Sequence, residues 1–250
     1  MRTFVWTGIV MAAAASSALA FDDKDDVKAA AKKLEDSVNY SWTTTTKNNV
    51  ETPGQGAGRF APGPVEGKSE KGGVTWYSMK QGENLIEGAM KGDKFAFKVK
   101  DQWLGSGDVP GGAPQGGRQD PSMFMGRILK TLKPGAQGFS EMIGRIKELK
   151  SEGDGLYSGE FSPEGARDQI APPRPEGVPA NIPVPAISDA KGTIKVWVKD
   201  GMVSKVESTM LGKMTIGGKD REINRTTTVE FKDVGTTKIE LSDEAKKKLE

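Results

Sequence analysis

The chain has 250 residues, with 36 Lys and Arg against 34 Asp and Glu, no His, no Cys, 32 Gly and 14 Pro. A net charge of +2 over that length leaves no clustered basic footprint for nucleic acid. Without Cys or His there is no disulfide, thiolate nucleophile, zinc–sulfur centre, Ser-His-Asp triad or imidazole shuttle, so any catalysis would rest on carboxylates, Lys, Tyr or hydroxyls.

Residues 1–20 read as a secretory signal peptide: Arg2 opens it, Phe4 to Ala15 is apolar, and Ala18-Leu19-Ala20 supplies the small-x-small cleavage pattern before Phe21. The apolar run is about a dozen residues, short of the roughly 20 that span a bilayer. No Cys follows for lipid attachment, so the expectation is an exported, periplasmic or secreted chain that does not span a membrane.

Residues 21–250 are expected to form one domain. It opens with a helix, because Val27, Ala31, Leu34 and Val38 recur on one stripe behind Asp22, Asp23, Asp25 and Asp26, whose carboxylates favour a helix N-terminus. That acidic cluster lacks the Gly and the spaced final Glu of a calcium loop, so no metal is expected there. Strands follow where apolar and β-branched residues alternate: Tyr40, Trp42 and Thr44, then Val74 to Met79, Asn84 to Met90, and Phe95 to Val99, with Gly92-Asp93 as a turn. Residues 51–73 and 105–119 are Gly-rich with some Pro and are expected as loops. Within the first, Gly63 to Ser69 has one residue too few between its glycines for a phosphate-binding loop, and no helix pattern follows.

The middle changes period. Asp120-Pro121 with Phe124, Ile128 and Leu132 predicts a helix; Ser140 with Ile143, Ile146 and Leu149 predicts a second, its Glu141, Glu148 and Glu152 on the surface. Ser162-Pro163-Glu164 starts a third. Residues 171–186, with six prolines from Pro172 to Pro185, read as an extended surface loop.

The last part is sheet again. Ile194 to Lys199 and Met202 to Val206 flank Asp200-Gly201, which predicts a hairpin on a primed turn. Alternation then places Met202, Val206, Met210, Met214 and Ile216 on one face of a long strand, and Ile223, Val229 and Phe231 on one face of the next. Ser242-Asp243-Glu244 caps a short C-terminal helix. The fold class is therefore α+β: a large curved antiparallel sheet with helices packed over one side.

Candidate site residues come from that apolar face. Met123 and Met142 sit beside Phe124 on the middle helices, and Met210 and Met214 extend the lining; flexible thioethers suit varied apolar ligands. Val229 and Phe231 complete it. Arg225 falls on the same face by counting in twos, where a guanidinium is costly unless it meets acceptors or reaches the rim. No carboxylate pair is isolated by the sequence, so no catalytic residues, cofactor or metal are assigned, although a hidden carboxylate hydrolase stays an alternative.

The segment from Val196 to Glu207, strand, Asp-Gly turn and returning strand, and the ending Thr226-Thr227-Thr228-Val229-Glu230-Phe231 resemble the late strands of the LolA/LolB-type periplasmic lipoprotein-carrier superfamily. The resemblance implies a half-barrel with helices as a lid, holding acyl chains inside, with a basic residue in the barrel that latches the lid. It implies a soluble carrier or binding protein for a lipid or lipid-anchored cargo, with a lipid or acylated protein and other cell-envelope proteins as partners. The alternative is a non-catalytic interaction module of the bacterial cell envelope.

Overall fold

The computed structural model describes residues 23–50, 64–81, 84–99, 101–108, 133, 135–171 and 185–250. Helix α1 (Asp23–Glu35) precedes six strands, β1 (Asn39–Asn48), β2 (Val65–Glu70), β3 (Val74–Gln81), β4 (Asn84–Lys91), β5 (Lys94–Val99) and β6 (Gln102–Gly105). Helix α2 (Gly135–Ile143), strands β7 (Ile146–Gly153) and β8 (Leu156–Phe161), and helix α3 (Pro163–Ile170) form the middle. Strands β9 (Ala186–Lys199), β10 (Met202–Ile216) and β11 (Lys219–Lys232) and helix α4 (Asp243–Lys248) complete the chain.

The eleven strands of the described residues join one antiparallel sheet in the order β6-β5-β4-β3-β2-β1-β11-β10-β9-β8-β7, curved and not closed on itself. Every neighbour in that order is also a neighbour in sequence, except β1 and β11, which meet at the centre with Trp42 opposite Phe231 and Thr44 opposite Val229. The α+β class expected from the sequence is what forms.

Helices α1, α2 and α3 cover one face over β1 and β7–β11. Val27, Ala30, Ala31 and Leu34 of α1 are buried against Ile143 of α2 and against Ile194, Val196, Val203 and Val206 of β9 and β10. The other end of the same face carries a separate cluster of Tyr77, Phe95 and Phe97. On the opposite face, Leu249 beside α4 is buried with Ala89 and Ala96 of β4 and β5.

Several expectations are corrected. Val38 lies beyond the end of α1 and is 64% exposed, because the chain turns there into β1. Part of the expected 51–73 loop is strand β2, whose Gly67 gives the Trp42 ring room to lie across it. The second middle helix begins at Gly135 and ends at Ile143, so Ser140 lies inside it and bonds Glu35 of α1 rather than capping an end. Ile146 and Leu149 belong to β7, as do Glu148 and Glu152. The reason is a register shift between Ile146 and Glu148: the irregularity brings residues three apart to the same buried face, which imitates helical spacing. Strand β8 was not expected either, and β9 begins at Ala186, inside the expected 171–186 loop. A second shift between Val203 and Lys205 makes Val203, not Met202, the fully buried partner of Val206. The predicted helix over Asp120–Leu132 and most of the 171–186 loop lie outside the described residues, as does the signal peptide.

Other expectations hold. Helix α3 starts at Pro163 with the Ser162 hydroxyl accepting the Gly165 N–H at 3.0 Å, and α4 is capped in the same way by Ser242. The Asp200-Gly201 turn has φ of 54° and 72°, the primed geometry that the alternating strands around it predict.

Candidate functional site

The helix-covered face is built by strand register. Across β1, β11, β10 and β9, one row runs Trp42, Phe231; the next runs Thr44, Val229, Val206, Val196; a further one runs Asn48, Arg225, Met210, Gly192. Met210 is 3% and Phe231 6% exposed, while Val229 and Met142 are half-buried against the same core. Met214 is half-buried farther along β10, opposite Ile187. Five of the candidate residues, Met210, Met214, Val229, Phe231 and Arg225, thus share one face, and Met142 reaches the core beneath from α2. Met123 and Phe124 lie outside the described residues.

An aromatic group seats α2. Tyr40, Trp42 and Phe231 lie with ring centroids 5.9 and 6.0 Å apart in successive pairs, and Gly135, the first residue of the helix, rests on Trp42 and Phe231. The Tyr40 hydroxyl accepts the Ala136 N–H at 3.2 Å, satisfying a donor that a helix start leaves open. Burial pushes the Tyr40 hydroxyl's pKa upward, which keeps it neutral.

Arg225 neither snorkels free nor sits unpaired. Its guanidinium donates to the carbonyl of Gln169, in the last turn of α3. Last-turn carbonyls have no partner within the helix, and a cation there also meets the negative end of the helix dipole. Desolvation lowers the pKa of Arg225, though a guanidinium stays charged. Among the described residues, the helix it reaches is α3. Gln169 itself carried no sequence signal, because a backbone carbonyl is available on any residue.

The opposite face differs in chemistry. A groove of about 520 Å³ crosses β7–β10 over Glu148, Lys150, Ser158, Lys195 and Glu207. A second, of about 510 Å³, lies over Lys68, Trp76, Glu87 and Lys238, with the Lys68 ammonium 5.4 Å from the Trp76 ring. Both mix charges and suit polar surroundings. Among the described residues no cluster of acidic side chains could hold a metal, and no helix is long and apolar enough to cross a membrane.

No family model matches the chain, and no curated protein matches it. Among solved structures, the lipoprotein LppX of Mycobacterium tuberculosis aligns over 88% of this chain and 97% of its own, with 8% identity and a TM-score of 0.47. LprF from Mycobacterium bovis aligns over 89% and 96%, with 10% identity and a TM-score of 0.43.

Proposed function

We propose that this chain is a non-catalytic, exported carrier or binding protein for a lipid or a lipid-anchored cargo. The observation that carries the reading is the helix-covered face itself: an open sheet whose one side carries two apolar clusters, the larger of them covered by separate helices rather than by a second sheet. Such a face is accessible when a helix shifts, and separate helices shift more easily than a hydrogen-bonded sheet. The resemblance of the last strands to lipoprotein carriers supports the same reading.

In this proposal Met142, Met210, Met214, Val229 and Phe231 line the apolar site, with Met123 and Phe124 contributed by the segment before α2. Arg225 holds α3 down through the Gln169 carbonyl and releases it when cargo enters. Export follows from the signal peptide of residues 1–20, and the partners are the cargo and the envelope proteins that deliver and receive it.

Two measurements test this. Organic extraction of gently purified protein, followed by mass spectrometry, should recover stoichiometric lipid; a clean extract argues for the interaction-module alternative. Arg225→Leu should accelerate exchange of a bound fluorescent fatty acid several-fold with an unchanged circular dichroism spectrum. Exchange and affinity equal to wild type would end the latch and leave the Gln169 contact a purely structural one.

A further inference from the structure

The far half of the same face holds a group that the packing leaves unexplained. Tyr77 on β3 is 2% exposed, and among the described residues its hydroxyl has no hydrogen-bond partner. Buried hydroxyls are nearly always bonded, and a phenylalanine in the same place would avoid the cost of leaving one open. The ring lies across β4 at Gly88, where an added Cβ would fall 1.9 Å from the hydroxyl oxygen, so glycine is what admits it. Around it are Phe95 and Phe97, fully buried, with half-buried Met79, Ile86, Met90 and Leu104 at the border. The register puts these side chains on the face shared by Trp42, Val229 and Arg225: Tyr77 faces Gly67 on β2, which faces Trp42 on β1.

The chemistry of the surroundings selects the ligand group. Among the described residues, the side chains that β2–β6 place on this half of the face include no Lys or Arg, so nothing there balances an anion. Burial pushes the Tyr77 pKa far up, so the hydroxyl is a donor throughout the physiological range. A neutral donor in such a setting matches a neutral acceptor, an ester carbonyl, and disfavours a carboxylate, whose charge would go uncompensated. Met79 and Met90 are flexible and only half-buried, so they can give way to a chain. Three strand spacings, about 14 Å, separate β3 from β11, which places the two halves of the face within one long acyl chain.

We propose that the Tyr77 hydroxyl donates a hydrogen bond to the ester carbonyl of an acyl-ester lipid lying on this half of the sheet. The proposal rests on the carrier reading above and adds the lipid class and the residue that recognises it. Methyl oleate and sodium oleate, which differ only in ester against carboxylate, are the probes, competed against a pyrene-labelled methyl ester on the full mature chain. Wild type should prefer methyl oleate. Tyr77→Phe should lower its affinity about tenfold and leave oleate unchanged. The ligand-free melting temperature of Tyr77→Phe should stay level or rise, since no protein hydrogen bond is lost.

Equal affinity of wild type and Tyr77→Phe for methyl oleate would overturn the assignment while leaving a carrier in place. A drop of several degrees in the ligand-free variant would also overturn it, by showing a structural partner for the hydroxyl. Wild type that binds neither probe and yields no lipid on extraction would remove the carrier reading, and this proposal with it.

Discussion

Two aromatic rings lie on glycines of the neighbouring strand, Trp42 on Gly67 and Tyr77 on Gly88, and at both places an added Cβ would come within about 2 Å of the ring or its hydroxyl. Side chains that bulky cannot share the space without forcing rotamers or backbone to move. Gly88→Ala should therefore cost about 2 kcal/mol in chemical denaturation, as overpacking of a filled site does. Gly107, with open space where its Cβ would stand, provides the comparison: Gly107→Ala should leave stability unchanged within about 0.5 kcal/mol. At this scale the sequence is only partly legible. The period-two pattern places Arg225 on the apolar face, yet its partner is a main-chain carbonyl, which no residue type announces. Tyr77 is visible as a strand aromatic, but its isolation depends on which neighbours surround it in space.

Turns and irregularities in register explain which elements could be read. The Asp200-Gly201 hairpin is legible because a primed turn needs positive φ at both central positions and this pair supplies it. The nearest atom to a Cβ on Gly201 is the Nζ of Lys33, 3.0 Å away on a flexible side chain, so backbone strain dominates any substitution there. Gly201→Val should lower stability by about 1–3 kcal/mol, read as a drop in melting temperature. An unchanged value would mean that the turn tolerates another geometry. Strand β7 defeated the same reasoning. Its register shift spaces Ile146 and Leu149 as a helix would, and β-strand assignment from period two fails wherever a bulge changes the parity. Once formed, this edge strand is protected from pairing with another chain: the Asp23 carboxylate accepts the Ser151 N–H, and the Lys24 ammonium donates to the Ile146 carbonyl.

For the molecule as a whole, the missing imidazoles and thiols set a pH response. The Asp108 carboxyl is held below its ordinary pKa by the Gly105 N–H and the Lys248 ammonium, and Glu230 is lowered by Lys232. Both groups favour the folded state above the ordinary carboxylate range and lose that contribution as pH falls through it. Tyr40, Tyr77 and Tyr157 are raised, chiefly by burial, so folding is favoured up to the ordinary phenol pKa and weakens as pH climbs beyond it. With no His or Cys between these limits, the melting temperature should be level from about pH 6 to pH 9, fall below about pH 4 and fall again above about pH 10. Tyr77→Phe should blunt the alkaline fall. A midpoint that moved by many degrees near neutrality would contradict this.

The sheet order has a kinetic consequence. Two meanders of locally paired strands meet only where β1 joins β11, and the Ser41 hydroxyl bonds the Lys232 carbonyl across 191 positions of chain. Hairpins close short loops, at small entropic cost; this seam must gather nearly the full length of the polypeptide before its contacts reward the closure. Each meander can therefore begin to organise by itself, while the aromatic group that supports α2 waits for residues at both extremes of the sequence. Contact order, rather than any single weak element, then limits how quickly the fold is completed. A ribosome-bound chain still lacking β11 has every other strand and no centre.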